Sequence, residues 1–183
     1  MRIIAGSAKG RRFEAPKGLD TRPTLDRVKE SLFGILQFRV MDADVLDLFS
    51  GSGNLGLEAA SRGARQVVCN DSSRACAALI RSNAALLGLA DRIRVLCLDY
   101  GAALRQLHGE GQRFDIALLD APYADGMSER AAAALLDLGL MRPGGQIVIE
   151  HDRRRAPVAP PLVRLCGQRG YGAVGLTIWE CTA

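Results

Sequence analysis

Two hydrophobic periods alternate along most of this chain. Continuous apolar runs at 45–49, 66–70, 93–98, 115–119 and 146–150 predict strands covered on both faces. Between them, residues 54–62, 73–87, 101–108 and 127–138 carry apolar positions at helical spacing. Strands separated by helices of this length build βαβ units and hence a parallel sheet. Beyond Pro157, Pro160 and Pro161, runs at 162–167 and 174–181 flank the Gly-rich "GQRGYG", which predicts an antiparallel hairpin at the sheet edge. The expected architecture is a Rossmann-like α/β fold: a mostly parallel seven-stranded sheet with helices on both faces and a C-terminal antiparallel hairpin.

Residues 1–40 follow a different pattern. "RIIAGSAKGRRFEAP" places short apolar stretches around Gly6, Ser7 and Gly10, which predicts a small basic β-hairpin. Pro16, Gly18 and Pro23 mark a loop, and Thr24 is placed to cap a helix over 25–38 with Asp26 in its first turn. Leu25, Val28, Leu32, Ile35 and Leu36 share one face of that helix. The chain thus divides into an N-terminal hairpin and helix, 1–40, appended to a main domain, 41–183.

Composition narrows the class. At 183 residues and 48% hydrophobic, the chain can bury a sizeable core, and with only 5% aromatics that core must be aliphatic. Five cysteines without a C-x-x-C pair, and only two histidines, argue against a zinc site and for reduced, mostly buried thiols. No apolar run is long enough to cross a bilayer, and "MRIIAGSAKG" lacks the apolar core of a secretory signal, so a cytoplasmic location is expected. Net charge is +4, yet residues 1–39 alone hold nine Lys/Arg against four Asp/Glu. Such a segment, Arg11 and Arg12 included, is either a solvated basic face or a contact for a polyanion such as nucleic acid.

Candidate chemistry sits at the strand ends, where open α/β sheets bind ligands. The first strand runs into "DLFSGSGNLGLEA", in which Gly51, Gly53 and Gly56 satisfy G-x-G-x-x-G. Alone this motif would equally suit a nicotinamide-dependent oxidoreductase. Three acids at successive strand ends change the picture. Asp47 would face a cationic ligand group, Asp71 could accept both hydroxyls of a ribose, and Asp99 lies within reach of an adenine amino group, although each could singly serve as a helix cap. An anionic dinucleotide is poorly served by Asp47; S-adenosyl-L-methionine, with its ammonium and sulfonium, is well served. Phe49, Ser52 and Tyr100 complete the expected cofactor set.

"DLFSGSGNLGLEAASRGA", "TRPTLDRVKESLF" and "DAPY" together resemble the RsmD family of bacterial rRNA guanine-N2 methyltransferases, over nearly the whole chain from "MRIIAG" to "GYGAVGLTIWE". The resemblance implies the class I methyltransferase fold and S-adenosylmethionine as cofactor. It also implies a guanine of small-subunit (16S) rRNA as target, within an assembling ribosomal subunit and without an obligate protein partner. By the same resemblance Arg22, Thr24, Arg27 and Lys29 of "TRPTLDRVKE" would cover the cofactor and guide RNA; the plain alternative is a helix cap and solvated charges.

"DAPY" supplies what an exocyclic nucleobase amine needs. Its lone pair is delocalised into the ring, so acceptors must hold its hydrogens while the nitrogen pyramidalises toward the methyl donor. Asp120 offers a carboxylate, Ala121 its main-chain carbonyl, Pro122 a stiffened turn, and Tyr123 a ring on which an extruded guanine can stack. The family's usual form is D-P-P-Y or N-P-P-Y, so Ala121 departs from it, although the carbonyl is retained and Pro122 still favours an extended Ala121. Adenine-N6 methylation and a non-catalytic role in rRNA assembly are the competing functions. His108 and His151 receive no role.

Overall fold

The computed structural model describes residues 1–15, 23–121 and 126–182, with backbone only for Pro23, Thr24 and Leu25. The elements run α1 (Pro23–Ile35), β1 (Asp44–Asp47), α2 (Asn54–Ser61), β2 (Gln66–Asn70), α3 (Arg74–Leu87), β3 (Ile93–Leu96) and α4 (Tyr100–Gly109). They continue with β4 (Phe114–Leu119), α5 (Met127–Asp137), β5 (Met141–Asp152), β6 (Val163–Tyr171) and β7 (Val174–Cys181). A short 3-10 turn, Ala90–Arg92, leads into β3.

Seven strands form one sheet in the order β3-β2-β1-β4-β5-β7-β6. The first five are parallel, and β7 lies antiparallel between β5 and β6. The chain winds outward from β1 to β3, then returns to place β4 on the other side of β1. That reversal between β1 and β4 opens a crevice beyond the carboxyl ends of the strands.

Side-chain alternation divides the core in two. Val45, Val67, Cys69, Ile116, Leu118, Val148 and Ile178 face one layer, and Leu46, Val68, Ala117, Leu119, Ile147, Ile149 and Trp179 the other. Buried residues of α4 and α5, Leu104, Leu107 and Leu135 among them, cover the second face. The first is covered by α2, α3 and the N-terminal segment: Ile3, Ala8, Phe13, Val28, Leu32, Phe33 and Leu36 belong to the same cluster as Val45 and Ile116. The segment expected as an appendage therefore shares the core of the sheet.

Several boundaries differ from the sequence expectation, each for a local reason. Helix α1 begins at Pro23, so Thr24 stands inside the first turn rather than capping it; proline suits that first position because its missing N–H would have no helical partner. Ile35 is exposed, while Val28, Leu32 and Leu36 are buried. The N-terminal hairpin is reduced to one antiparallel bridge, Arg2 to Arg12, flanked by Ile3 N–H to Arg11 O at 3.0 Å and Phe13 N–H to Met1 O at 3.0 Å. Strand β5 starts at Met141, because "MRPGG" continues the ladder to β4 across an irregularity between Phe114 and Ile116. Strand β6 runs on through Gly167 and Gly170 to Tyr171, leaving only Gly172 and Ala173 as the turn. Of the thiols only Cys69 and Cys181 are buried; Cys166 is exposed.

What fastens the N-terminal segment is a buried carboxylate. Glu58 in α2 is fully buried; Ile4 N–H (2.8 Å) and Ala5 N–H (3.0 Å) donate to it, as does Arg62 Nε at 2.7 Å. Lys29 Nζ lies 3.4 Å away and donates to Arg2 O at 2.6 Å and Asn54 Oδ1 at 2.9 Å. Burial pushes the Lys29 pKa down, and Glu58 pulls it back up. Lys29 was expected on the RNA-facing surface; it is instead an internal tie between α1, α2 and the N-terminal strand. Gly6 is fixed in the same clip, at φ +86°, where an added Cβ would lie 1.8 Å from Ser61 O.

Replacing Glu58 by Gln should strand the Lys29 charge. The expected loss is about 3–5 kcal/mol of folding stability, the scale for breaking a buried pair from one side. Urea denaturation of both proteins measures it, and a loss below about 1 kcal/mol would show that Glu58 is not the anchor.

Candidate active site

The turn after β1 is built around two left-handed glycines. Gly51 has φ +55° and Gly53 φ +83°, conformations that favour glycine, and Gly53 caps α2 without a side chain. Ser50 holds the turn: Oγ donates to Asp47 O at 2.7 Å, while its carbonyl accepts Gly53 N–H at 2.7 Å. Gly56 serves packing, since an added Cβ would meet Cys69 Sγ at 2.4 Å and Asp47 Oδ2 at 3.1 Å. Helix α2 can lie this close to β1 and β2 only with a bare Cα at that point.

Around this turn the structure gathers the expected acids. Asp47 is buried at 1% exposure; Oδ2 accepts Gly56 N–H at 2.8 Å, while the buried Oδ1 has no hydrogen-bond partner. Asp71, beyond β2, reaches back to the turn: Oδ2 accepts Gly51 N–H at 2.9 Å and Oδ1 accepts Ser73 N–H at 2.8 Å. Asp99 caps α4, with Oδ1 accepting Ala102 N–H at 3.1 Å, so the capping role is realised. The rings of Phe49 and Tyr100 pack 5.7 Å apart, tilted by 51°, joining the ends of β1 and β3. Ser52 is placed differently from expectation: its hydroxyl turns toward Met1 Sδ at 3.1 Å, into the N-terminal contact.

Asp120 follows β4 directly, half-buried, and Ala121 is buried beside it. Pro122 and Tyr123 lie outside the described residues. Burial, then the charges of Glu150 and Asp47, pushes the Asp120 carboxyl well above its ordinary range. Burial raises Asp47 to about 7; the bond from Gly56 N–H opposes the shift, and the charge of Asp71 adds to it. The carboxyls of Asp47, Asp71, Asp120 and Glu150 thus lie close enough at the strand ends to feel one another's charge.

Three supporting residues escaped the sequence reading. Glu150 ends an apolar run in β5, the pattern that marked the other acids. Asn70 is buried and ties three strand ends together, donating to Leu48 O (3.2 Å) and Leu98 O (3.1 Å). Asn83 holds the glycine turn to the N-terminal segment, donating to Ser52 O (3.1 Å) and Glu14 O (3.0 Å) and accepting Glu14 N–H (3.0 Å). Nothing in their local sequence distinguishes these asparagines from helix or turn residues.

The cations predicted to meet RNA separate. Arg12 and Arg27 are exposed, and Arg27 lines a groove with Arg2, Lys9 and Asp26. Arg11 is engaged at the end of α3, where its guanidinium donates to Leu86 O and, at 2.7 Å, to Leu87 O. Lys29 is internal, Arg22 lies outside the described residues, and so does the Thr24 side chain.

The family model described as Conserved hypothetical protein 95 matches residues 1–180. This chain belongs to the RsmD family. Within it, the Escherichia coli K12 protein named ribosomal RNA small subunit methyltransferase D is 33% identical, over 98% of this chain and 89% of its own length. The RsmD-family fold is shared with the solved Escherichia coli protein yhhF, at 34% identity and a TM-score of 0.89, covering 100% of this chain and 98% of that one. An RNA methyltransferase from Salinibacter ruber, solved with S-adenosyl-L-homocysteine, shares the fold at 16% identity and a TM-score of 0.67, over 90% of this chain and 94% of that one. The sheet and its helices are those of a class I methyltransferase.

The raised Asp47 carboxyl has a stability signature. In the folded protein it keeps a proton that the unfolded chain releases near pH 4, so its contribution to stability is complete below that pH. The contribution is lost as pH rises through about 7. Denaturation of the ligand-free protein between pH 4 and 8 should therefore show a decline on the order of 1–4 kcal/mol from this group. Asp47→Asn should flatten that decline; an unaltered profile would mean the carboxyl titrates normally.

Proposed function

We infer that the protein methylates the exocyclic N2 amine of a guanine in small-subunit rRNA, with S-adenosylmethionine as donor. The observation that carries this reading is the cluster of Asp47, Asp71, Asp120 and Glu150 at the strand ends, where burial raises Asp47 to about 7 and lifts Asp120 as well, with the neighbouring carboxyls adding to both shifts. Such a site fits a cation, and the buried, unpartnered Oδ1 of Asp47 is an acceptor awaiting a donor. A dinucleotide pyrophosphate would add negative charge to it. When bound, the cofactor supplies an electrophilic methyl group on a sulfonium.

The chain's own residues do the rest. Asp47 faces the ammonium end, and Asp71, already holding the glycine turn in place, keeps spare lone pairs for ribose hydroxyls. Asp99 and the Phe49–Tyr100 pair stand where the base would lie. Asp120 accepts one N–H of the target amine, the Ala121 carbonyl accepts the other, and both oppose the positive charge that grows on nitrogen during attack. With the cofactor bound, these two acceptors would hold the amine so that its lone pair is aimed at the sulfonium methyl, which the donor would release as a thioether. The surplus proton would pass to Asp120, whose raised pKa makes it a stronger proton acceptor than an ordinary carboxylate. Pro122 and Tyr123 would stiffen the turn and stack the extruded base.

The decisive experiment incubates the protein and methyl donor with unmodified small subunits, and separately with naked rRNA, followed by mass spectrometry of the digested nucleosides. N2-methylguanosine supports the reading; N6-methyladenosine would replace it, and no methylation of either substrate would leave an assembly role. Within that assay Asp120→Ala should slow single-turnover transfer by about 10²–10³-fold. The parent rate should fall on acidification at a pH above the ordinary carboxylate range, and Asp120→Asn should lack that limb. A variant at Asp120 with near-parental turnover would place the chemistry elsewhere.

Asp71→Ala should weaken cofactor binding by about 1.5–3 kcal/mol, the range for hydrogen bonds to a charged group. Calorimetry measures it directly, and unchanged affinity would remove Asp71 from the ribose.

A further inference from the structure

An acid-ringed crevice presents a difficulty for a polyanionic substrate. Phosphates approaching the acids at these strand ends, Asp71 and Glu150 among them, meet like charge, and the repulsion grows where side chains displace water. A compensating positive rim is needed close by. The sequence "HDRRR", which no role has yet absorbed, begins inside β5 immediately after Glu150.

The backbone of this run is fixed. Asp152 Oδ1 accepts Arg154 N–H at 2.9 Å, Asp152 O accepts Arg155 N–H at 2.8 Å, and Arg153 N–H donates to Ala173 O at 2.8 Å in the β6–β7 turn. Two residues before Ala173, the Tyr171 hydroxyl is hydrogen-bonded to Ser31 Oγ of α1. The arginine turn, the hairpin tip and α1, which carries Arg27, are thereby held in one continuous piece of structure.

The three arginines differ in what they hold. Arg154 is spent on Asp152, with Nη2 at 2.8 Å and Nε at 3.1 Å. Arg155 lines a small cleft with Ala121, the residue after Asp120, and with Ser128, Glu150 and His151. Arg153 lies across Gly170, where an added Cβ would meet its Nε at 2.6 Å and Cδ at 2.9 Å. Among the described residues neither Arg153 nor Arg155 has a carboxylate partner. A bare glycine surface seats the Arg153 guanidinium, and Arg155 lines the neighbouring cleft, so two exposed cations stand beyond the carboxyl end of β5.

We propose that Arg153 and Arg155 grip the RNA backbone phosphates that flank the nucleotide presented to Asp120. The site takes the phosphodiester of a single-stranded segment, since a base must leave its stack to reach the crevice. Guanidinium forks match phosphate oxygens in pairs, and here they also offset the field of the crevice acids. This assignment rests on the methyltransferase reading above, so binding and turnover are read separately.

The test uses the full chain and purified, unmodified small-subunit rRNA. In the Arg153→Ala/Arg155→Ala double variant, RNA affinity should fall on the order of ten-fold, and the log–log salt slope should lose about 1.4, at about 0.7 per single-strand phosphate contact. The Michaelis constant for RNA should rise with it, while kcat stays within about two-fold and cofactor affinity is unchanged. Gly170→Ala, which displaces the Arg153 guanidinium but keeps its charge, should reproduce part of the loss. An unchanged slope and affinity in the double variant overturns the grip. So does an equal loss in Arg154→Ala, because general surface charge would then account for it. Wild-type protein that binds RNA through these arginines yet transfers no methyl group would overturn the methyltransferase reading and leave the grip standing.

Discussion

One buried carboxylate decides whether this molecule has a complete first face. Glu58 receives two backbone N–H groups, a lysine and an arginine at the point where the N-terminal strand, α1 and α2 meet. Helix α2 is also the helix whose first turn follows the glycine loop, so the anchor and that loop share one rigid element. Ser61 at the end of α2 continues the fastening through Ala8 N–H and Ala5 O. Without these bonds Ile3, Ala8, Phe13 and the apolar side of α1 would have no fixed seat, and the layer over Val45 and Ile116 would lie open. Four donors around a single acid also explain how an ion pair can be tolerated in so dry a place: each charge is hydrogen-bonded as well as paired.

At the other end of the strands the physics is reversed. There burial, reinforced by neighbouring carboxyls, raises Asp47 and Asp120. The interior satisfies Glu58 with four donors and leaves Asp47 Oδ1 unpartnered, so the two buried acids differ in what holds them. Exposed cations lie outside that cluster, Arg27 on α1 and Arg153 and Arg155 on the turn after β5.

Much of this was legible in the order of residues. Strands β2 and β7 have the bounds their apolar runs implied, and the acids at 47, 71, 99 and 120 stood out because each closes or follows such a run. Illegible were the features that depend on distant partners. Lys29 looks like any surface lysine until Glu58 and Asn54 are brought around it. Arg11 is drawn from the solvated set by carbonyls at the end of α3. The glycines of "GQRGYG" suggested a turn, yet Gly170 stays in β6 to leave room for Arg153. Glycine signals either a bend or a close neighbour, and sequence alone does not say which.

The position of β7 has a further consequence for how the sheet comes into being. Being the last strand in the chain yet lying between β5 and β6, it must slot into a gap rather than extend an edge. Until it arrives, β5 presents an unpaired backbone beside the reactive crevice, the kind of exposed edge that invites association with other chains. Trp179, the single tryptophan of the sequence, rides on this strand and ends fully buried opposite Ile147 and Leu165. Its indole therefore passes from water to the interior as the gap closes, so that the protein carries its own optical record of the moment the sheet, and with it the wall of the crevice, is completed.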